Sequence, residues 1–161
     1  MSLEIVYTDH AIGIPEIRAA LSIIFPGLLI QHYDFSEDFP KTLNIDHPDH
    51  AFFNTSYDPE KLELGFSICL YGLNESDSGK RELYLGQQLS DLLQIRTLVP
   101  FQNPDKPDNP YYDILFQEGR SFLVNDNDTS FADGTEHLIS IIGEYPLPEL
   151  QFDHKGNWLN G

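Results

Sequence analysis

The sequence predicts an α+β fold: one domain, residues 1–161, with a mixed, mostly antiparallel sheet and two or three helices packed on one side. Three observations carry this. Apolar side chains recur at helical spacing from Ile17 to Phe25, and they alternate with a period of two from Leu62 to Leu70. The 161 residues contain no linker, repeat or low-complexity tract that would divide them. Apolar residues make up 40% of the chain and arrive in runs, which sets it apart from disordered sequences.

The elements follow in order. Leu3 to Tyr7 is a short run of strand formers. Pro15 suits the first turn of a helix, where its missing N–H costs nothing. Ile17, Ala20, Leu21, Ile24 and Phe25 then form one apolar helical face, stopped by Pro26-Gly27. Leu28 to Tyr33 reads as a strand, so the chain opens β-α-β. Phe35 to His50 has no sustained period and carries Pro40 and Pro48. Ala51 to Tyr57 is a further strand. From Leu62 to Leu70, Leu62, Leu64, Phe66, Ile68 and Leu70 share one face, which is expected on the core.

Asn74 to Gly79 is a turn. Leu85, Leu89, Leu92 and Leu93 have helical spacing, with Glu82 near the N-terminal end, where its charge suits the dipole. Gly86 weakens this helix by about 1 kcal/mol relative to alanine. A strand over Arg81–Leu85 before a shorter helix competes with that reading. Thr97 to Phe101 is a strand and Asn103 to Pro110 a loop with three prolines. Tyr111–Gln117 and Arg120–Val124 flank Glu118-Gly119 as a hairpin. Adjacent strand residues point oppositely, so at most one of Tyr111 and Tyr112 belongs to the core. Asn125 to Asp133 is an acidic loop. Asp133 and Glu136 have capping-box spacing ahead of Leu138, Ile141, Ile142 and Gly143, which predicts a short third helix. The tail from 143 to 161, with Trp158, is expected to strap across the body or fray.

Charge excludes several functions. There are 26 acidic and 9 basic side chains, a formal charge of −17. Seven acids and one base, Lys41, lie between Asp34 and Glu60, and four acids and no base between Asn125 and Glu136. Such a chain repels nucleic acids and anionic membranes, whose phosphates require cationic contacts. It attracts cationic proteins and speeds their association. Solubility alone is the competing explanation of the charge. Cys69 is the single cysteine, which excludes a disulfide framework. No apolar run reaches membrane-spanning length, and the N-terminus carries Glu4 and Asp9 instead of a basic leader, so a cytoplasmic protein is expected.

Motifs for catalysis fail on chemistry. Gly72 and Gly79-Lys80 are spaced unlike a phosphate loop, and Arg81 stands where a hydroxyl would hold magnesium. Ser67 lacks the glycine that closes a nucleophile elbow. Asp126-Asn127-Asp128 opens like a calcium loop, but Phe131 occupies the turn position that needs glycine. Asp46, His47, Asp49 and His50 have metal-ligand composition, yet Pro48 keeps them off a regular helix and no later ligand joins them. His10, His32, His137 and His154 are isolated, and Cys69 has no neighbouring base to make a thiolate. The expectation is a protein without catalytic residues, metal or cofactor. Its partner-binding surface is placed at Asp105, Asp108, Tyr111, Tyr112, Asp126, Asp128 and Asp133, where carboxylates adjoin large rigid aromatic side chains.

The stretch from Leu85 to Val124 also carries a family pattern. Its parts are a Leu-rich helix, Leu98-Val99-Pro100 ending a strand, Asn109-Pro110-Tyr111 in a loop, and a Glu118-Gly119 turn before Phe122-Leu123-Val124. In layout this resembles the small acidic immunity proteins of bacterial polymorphic-toxin systems. The resemblance implies a cytoplasmic, non-enzymatic inhibitor that covers the active site or substrate groove of a cationic toxin, such as a nuclease. It transfers no catalytic residue. A regulatory or structural binding module is the alternative, followed by a metal-dependent enzyme built on residues 46–50.

Overall fold

A computed structural model describes residues 2–61, 63–125 and 139–159. The chain forms β1 (Leu3–Thr8), α1 (Ile14–Ile24), β2 (Leu29–His32), β3 (His50–Tyr57), β4 (Phe66–Tyr71), α2 (Ser78–Leu93), β5 (Thr97–Pro100), β6 (Tyr112–Gln117), β7 (Arg120–Asn125) and β8 (Ser140–Glu144). The strands make one sheet in the order β2-β3-β4-β1-β5-β6-β7-β8. Among the described strands only β2 and β3 pair in parallel. The fold is α+β, and the described residues contain two helices.

Alternation along the strands divides the sheet into two faces. Val6, Phe53, Ile68, Leu70, Val99, Ile114 and Phe116 point to the helices and meet Ile17, Leu21, Leu85 and Leu89 in the main core. Pro15 sits in the first turn of α1, and the periodic residues Ile17, Ala20, Leu21 and Ile24 are buried, as their spacing predicts. In α2, Gly86 has a packing role. A Cβ there would lie 2.4 Å from Val99 Cγ2 and 3.2 Å from Phe116 Cε2, so the missing side chain lets the helix approach β5 and β6. Its carbonyl accepts the Thr97 hydroxyl at 2.7 Å.

Three local expectations need correction. The strand expected over Leu62–Leu70 is β4 at Phe66–Tyr71, and Leu62 lies outside the described residues. Leu64 has φ 54° and packs with Leu98, Leu115 and Val124 on the other side of the sheet, so it leaves the core row of Phe66, Ile68 and Leu70. The region expected as a third helix is strand β8 over Ser140–Glu144, while Asp133, Glu136 and Leu138 lie outside the described residues. Pairing with β7 wins there because it satisfies the backbone edge of Phe122–Asn125, and β-branched Ile139, Ile141 and Ile142 suit a strand. Glu82 is not a helix-dipole partner in the first turn. Its Oε2 accepts the Ile5 N–H at 2.7 Å, on the part of β1 that β5 does not reach.

The C-terminal tail is a strap. Phe152 is buried beside Tyr84 and Trp158, the Gly27 N–H donates to the His154 carbonyl at 2.8 Å, and Lys155 pairs with Asp49 at 2.8 Å. Beneath it Arg81, a helix residue with no exposed surface, donates to the carbonyls of Gly156, Asn74 and Ser76 and to Glu4. No described helix is long and apolar enough to cross a membrane.

Candidate protein-binding surface

The face of the sheet away from the helices carries two apolar islands. One, over β5, β6 and β7, is the cluster of Leu64, Leu98, Leu115 and Val124, flanked by Tyr7, Phe122 and Ile139. The other, over β3 and β4, is aromatic. Register places Phe52 beside Tyr71, and their rings stack at 4.9 Å with 11° between planes. The connection from β2 to β3 lays further rings on this pair. Phe35 meets Phe52 at 6.1 Å and Tyr71 at 5.6 Å, edge to face, and Phe39 meets Phe52 at 6.0 Å. Tyr33 touches Phe35, Phe39 and Phe52 at 5.1, 4.9 and 5.6 Å.

These perpendicular ring contacts hold the outer rings in place while leaving them open to solvent. Phe35 is 57% and Phe39 36% exposed, with Leu3 alongside Tyr71 in the neighbouring strand at 42%. Asp34, Glu37 and Asp38 alternate with the rings in sequence, and all three are exposed. Two hydrogen bonds from Ser36, its N–H at 2.9 Å and its hydroxyl at 2.7 Å, hold the Asp34 carboxyl below the usual carboxylate range. Asp34 therefore stays charged at neutral pH.

The loop expected to bind a partner lies at the end of the sheet where β5 ends and β6 begins. Two asparagine turns shape it. Asn103 Oδ1 accepts the Asp105 N–H and Asn109 Oδ1 the Tyr111 N–H, each at 3.0 Å. Asp105, Asp108 and Tyr111 are exposed around a groove of about 550 Å³. Tyr112 turns the other way and is 5% exposed in the main core, so Tyr111 supplies the surface ring. Asp126, Asp128 and Asp133 lie outside the described residues. The aromatic island has no place among the residues expected from sequence. Its signal was there, three aromatics and three acids in the seven residues from Tyr33 to Phe39.

Most cations are already committed. Lys80 pairs with Asp77, Arg81 with Glu4, Arg96 with Asp9 and Glu63, Arg120 with Glu144, and Lys155 with Asp49. None of these described ion pairs involves Asp34, Glu37, Asp38, Asp105 or Asp108. Lys41 and Lys106 are the exposed lysines of these two loops, so three acids face one base from Asp34 to Lys41 and two acids face one base from Asp105 to Asp108.

The histidine cluster is engaged internally. His47 and His50 stack at 4.3 Å, and their Nδ1 atoms accept the N–H groups of Asp49 and Asn44 at 3.0 and 2.8 Å. The Lys155 contact holds Asp49 below the usual carboxylate range. Among the described residues no group of three or more His, Cys, Asp or Glu side chains is arranged to hold a metal ion. Cys69 is half-buried, and burial pushes its thiol up, away from nucleophilic character.

In comparison with known proteins, no family model matches the chain, and neither does any curated protein or solved structure.

Proposed function

We propose that this protein is a non-enzymatic binding protein that neutralises a cationic protein, in the manner of a toxin-immunity protein. One observation carries the reading: carboxylates outside the described ion pairs sit directly beside exposed aromatic rings, at Asp34–Phe39 and at Asp105–Tyr111. Aromatic anchors inside a charged rim are the working parts of a protein interface. The rings supply desolvated contact area, and the rim charges steer the encounter. The layout of residues 85–124 supports an immunity role, and the acidity fits a partner with a cationic groove.

The test is functional. The product of the adjacent gene is mixed with this protein at increasing molar ratio and assayed for toxicity or nuclease activity. Stoichiometric loss of that activity is expected. An acidic adjacent product that goes unbound, or intrinsic turnover by the purified protein, would overturn the reading.

A further inference from the structure

We infer that the aromatic island at Tyr33, Phe35 and Phe39 captures arginine side chains from an extended segment of the partner. This deepens the proposed function and rests on it. It also assigns the primary contact to the β2–β3 connection instead of the Asp105–Tyr111 loop.

Three features of the site favour a guanidinium. The rings of Phe35 and Phe39 stand nearly perpendicular to the rings of the Phe52–Tyr71 stack and keep 57% and 36% of their surface open to solvent. The face of an aromatic ring attracts a cation through its quadrupole, and the planar, weakly hydrated guanidinium stacks there better than an ammonium. Asp34, Glu37 and Asp38 are exposed sequence neighbours of those rings and outnumber the one base of the segment, Lys41, so the island offers carboxylates as acceptors for the forked N–H donors of an arginine.

Charge also argues against the alternative occupant. A second copy of this chain would bring another formal charge of −17 against the same rim. The platform is ordered before binding, because Phe52 is 4% exposed within the sheet and Tyr33 bridges both outer rings. Binding there forfeits little conformational freedom, which favours this island over a contact that must first be ordered.

The experiment measures fluorescence anisotropy of a labelled alternating arginine–serine peptide, with lysine–serine and glutamate–serine peptides as controls. The arginine peptide is expected to bind most tightly and the glutamate peptide not at all. Phe35→Ala with Phe39→Ala, which leaves every charge in place, is expected to weaken binding about tenfold, and Phe35→Tyr with Phe39→Tyr to restore it. Both rings are exposed, and an unchanged circular dichroism spectrum confirms folding of each variant. Peptide binding that ignores the alanine pair but falls with Asp105→Asn, Asp108→Asn and Tyr111→Ala overturns the inference and leaves the proposed function standing. So does an adjacent gene product that binds the alanine pair as tightly as wild type. Self-association lost in the alanine pair assigns the island to a second copy and overturns the inference. Failure of both the arginine peptide and the adjacent gene product to bind wild type overturns the inference and the proposed function together.

Discussion

Arg81 Nη1 donates to Glu4 Oε1 at 3.0 Å, and neither side chain is more than 1% exposed. The pair ties the first turn of α2 to the central strand β1, with the Ser2 and Ser78 hydroxyls completing the Glu4 carboxylate at 3.0 Å each. Burial pushes the Glu4 carboxyl up, against the lowering pull of Arg81 and both serines. Removing one partner of such a pair strands a charge. Arg81→Met is expected to cost about 3–5 kcal/mol in urea unfolding. Pairing it with Glu4→Gln should cost less than the two single changes summed, by about 1–3 kcal/mol. Strict additivity would show that the two groups do not support each other.

Glu82 gives stability a pH dependence of defined sign. Burial, with Glu4 nearby, raises its carboxyl from 4.5 to about 7, against the Ile5 N–H bond. The folded state therefore holds this proton more tightly than the unfolded chain does. The contribution is fully present below about pH 4.5 and is lost as pH rises through about 7. At 1.36 kcal/mol per pH unit, the span from 4.5 to 7 amounts to about 3 kcal/mol. Glu82→Gln keeps an acceptor for Ile5 and should raise stability relative to wild type at pH 8, by about 1–3 kcal/mol, with no gain at pH 4.5. An equal effect at both values would contradict the assignment.

Gly86→Ala sets helix propensity against packing. Propensity alone favours alanine by about 1 kcal/mol. The new Cβ would meet Val99 at 2.4 Å, so overpacking should dominate, with a net loss of about 1–3 kcal/mol in denaturant unfolding. A stabilised variant would show that α2 can lift from the sheet without penalty.

Phe66→Ala should cost about 3–5 kcal/mol, as large core truncations do. Phe66 is 8% exposed in the main core and opens the row that continues through Ile68 and Leu70. A negligible change in the unfolding midpoint would remove that row from the core.

These residues also show what the sequence makes legible. The helical face read from Ile17 to Phe25 appears as α1 with Phe25 as its C-cap, whereas of the alternation read from Leu62 to Leu70 only Phe66, Ile68 and Leu70 keep the core row. The hairpin at Glu118-Gly119 follows from two residues with φ of 50° and 73°. Alternation requires at most one of Tyr111 and Tyr112 in the core, and Tyr112 is the buried one. Arg81 was illegible, because a charged helix residue ordinarily faces water, and only the strap at Gly156 and the strand at Glu4 bury it. The strand β8 was misread because Leu138, Ile141 and Ile142 have helical spacing, and the open edge of β7 is not written in that segment. The aromatic island was missed for a related reason. Phe35 and Phe39 follow no period, and their partners Phe52 and Tyr71 are brought to them by strand pairing.

On the proposed function, the exposed carboxylates steer a cationic partner. The most direct test is the association rate with the adjacent gene's product at low and high salt. Wild type is compared with a variant carrying Asp34→Asn, Glu37→Gln, Asp38→Asn, Asp105→Asn and Asp108→Asn. Wild-type association should be fast at low salt and fall steeply as salt is added. The neutralised variant should associate more slowly, with a flattened salt dependence and an unchanged fold. Rates that ignore both salt and substitution would contradict the claim and leave the charge to serve solubility alone.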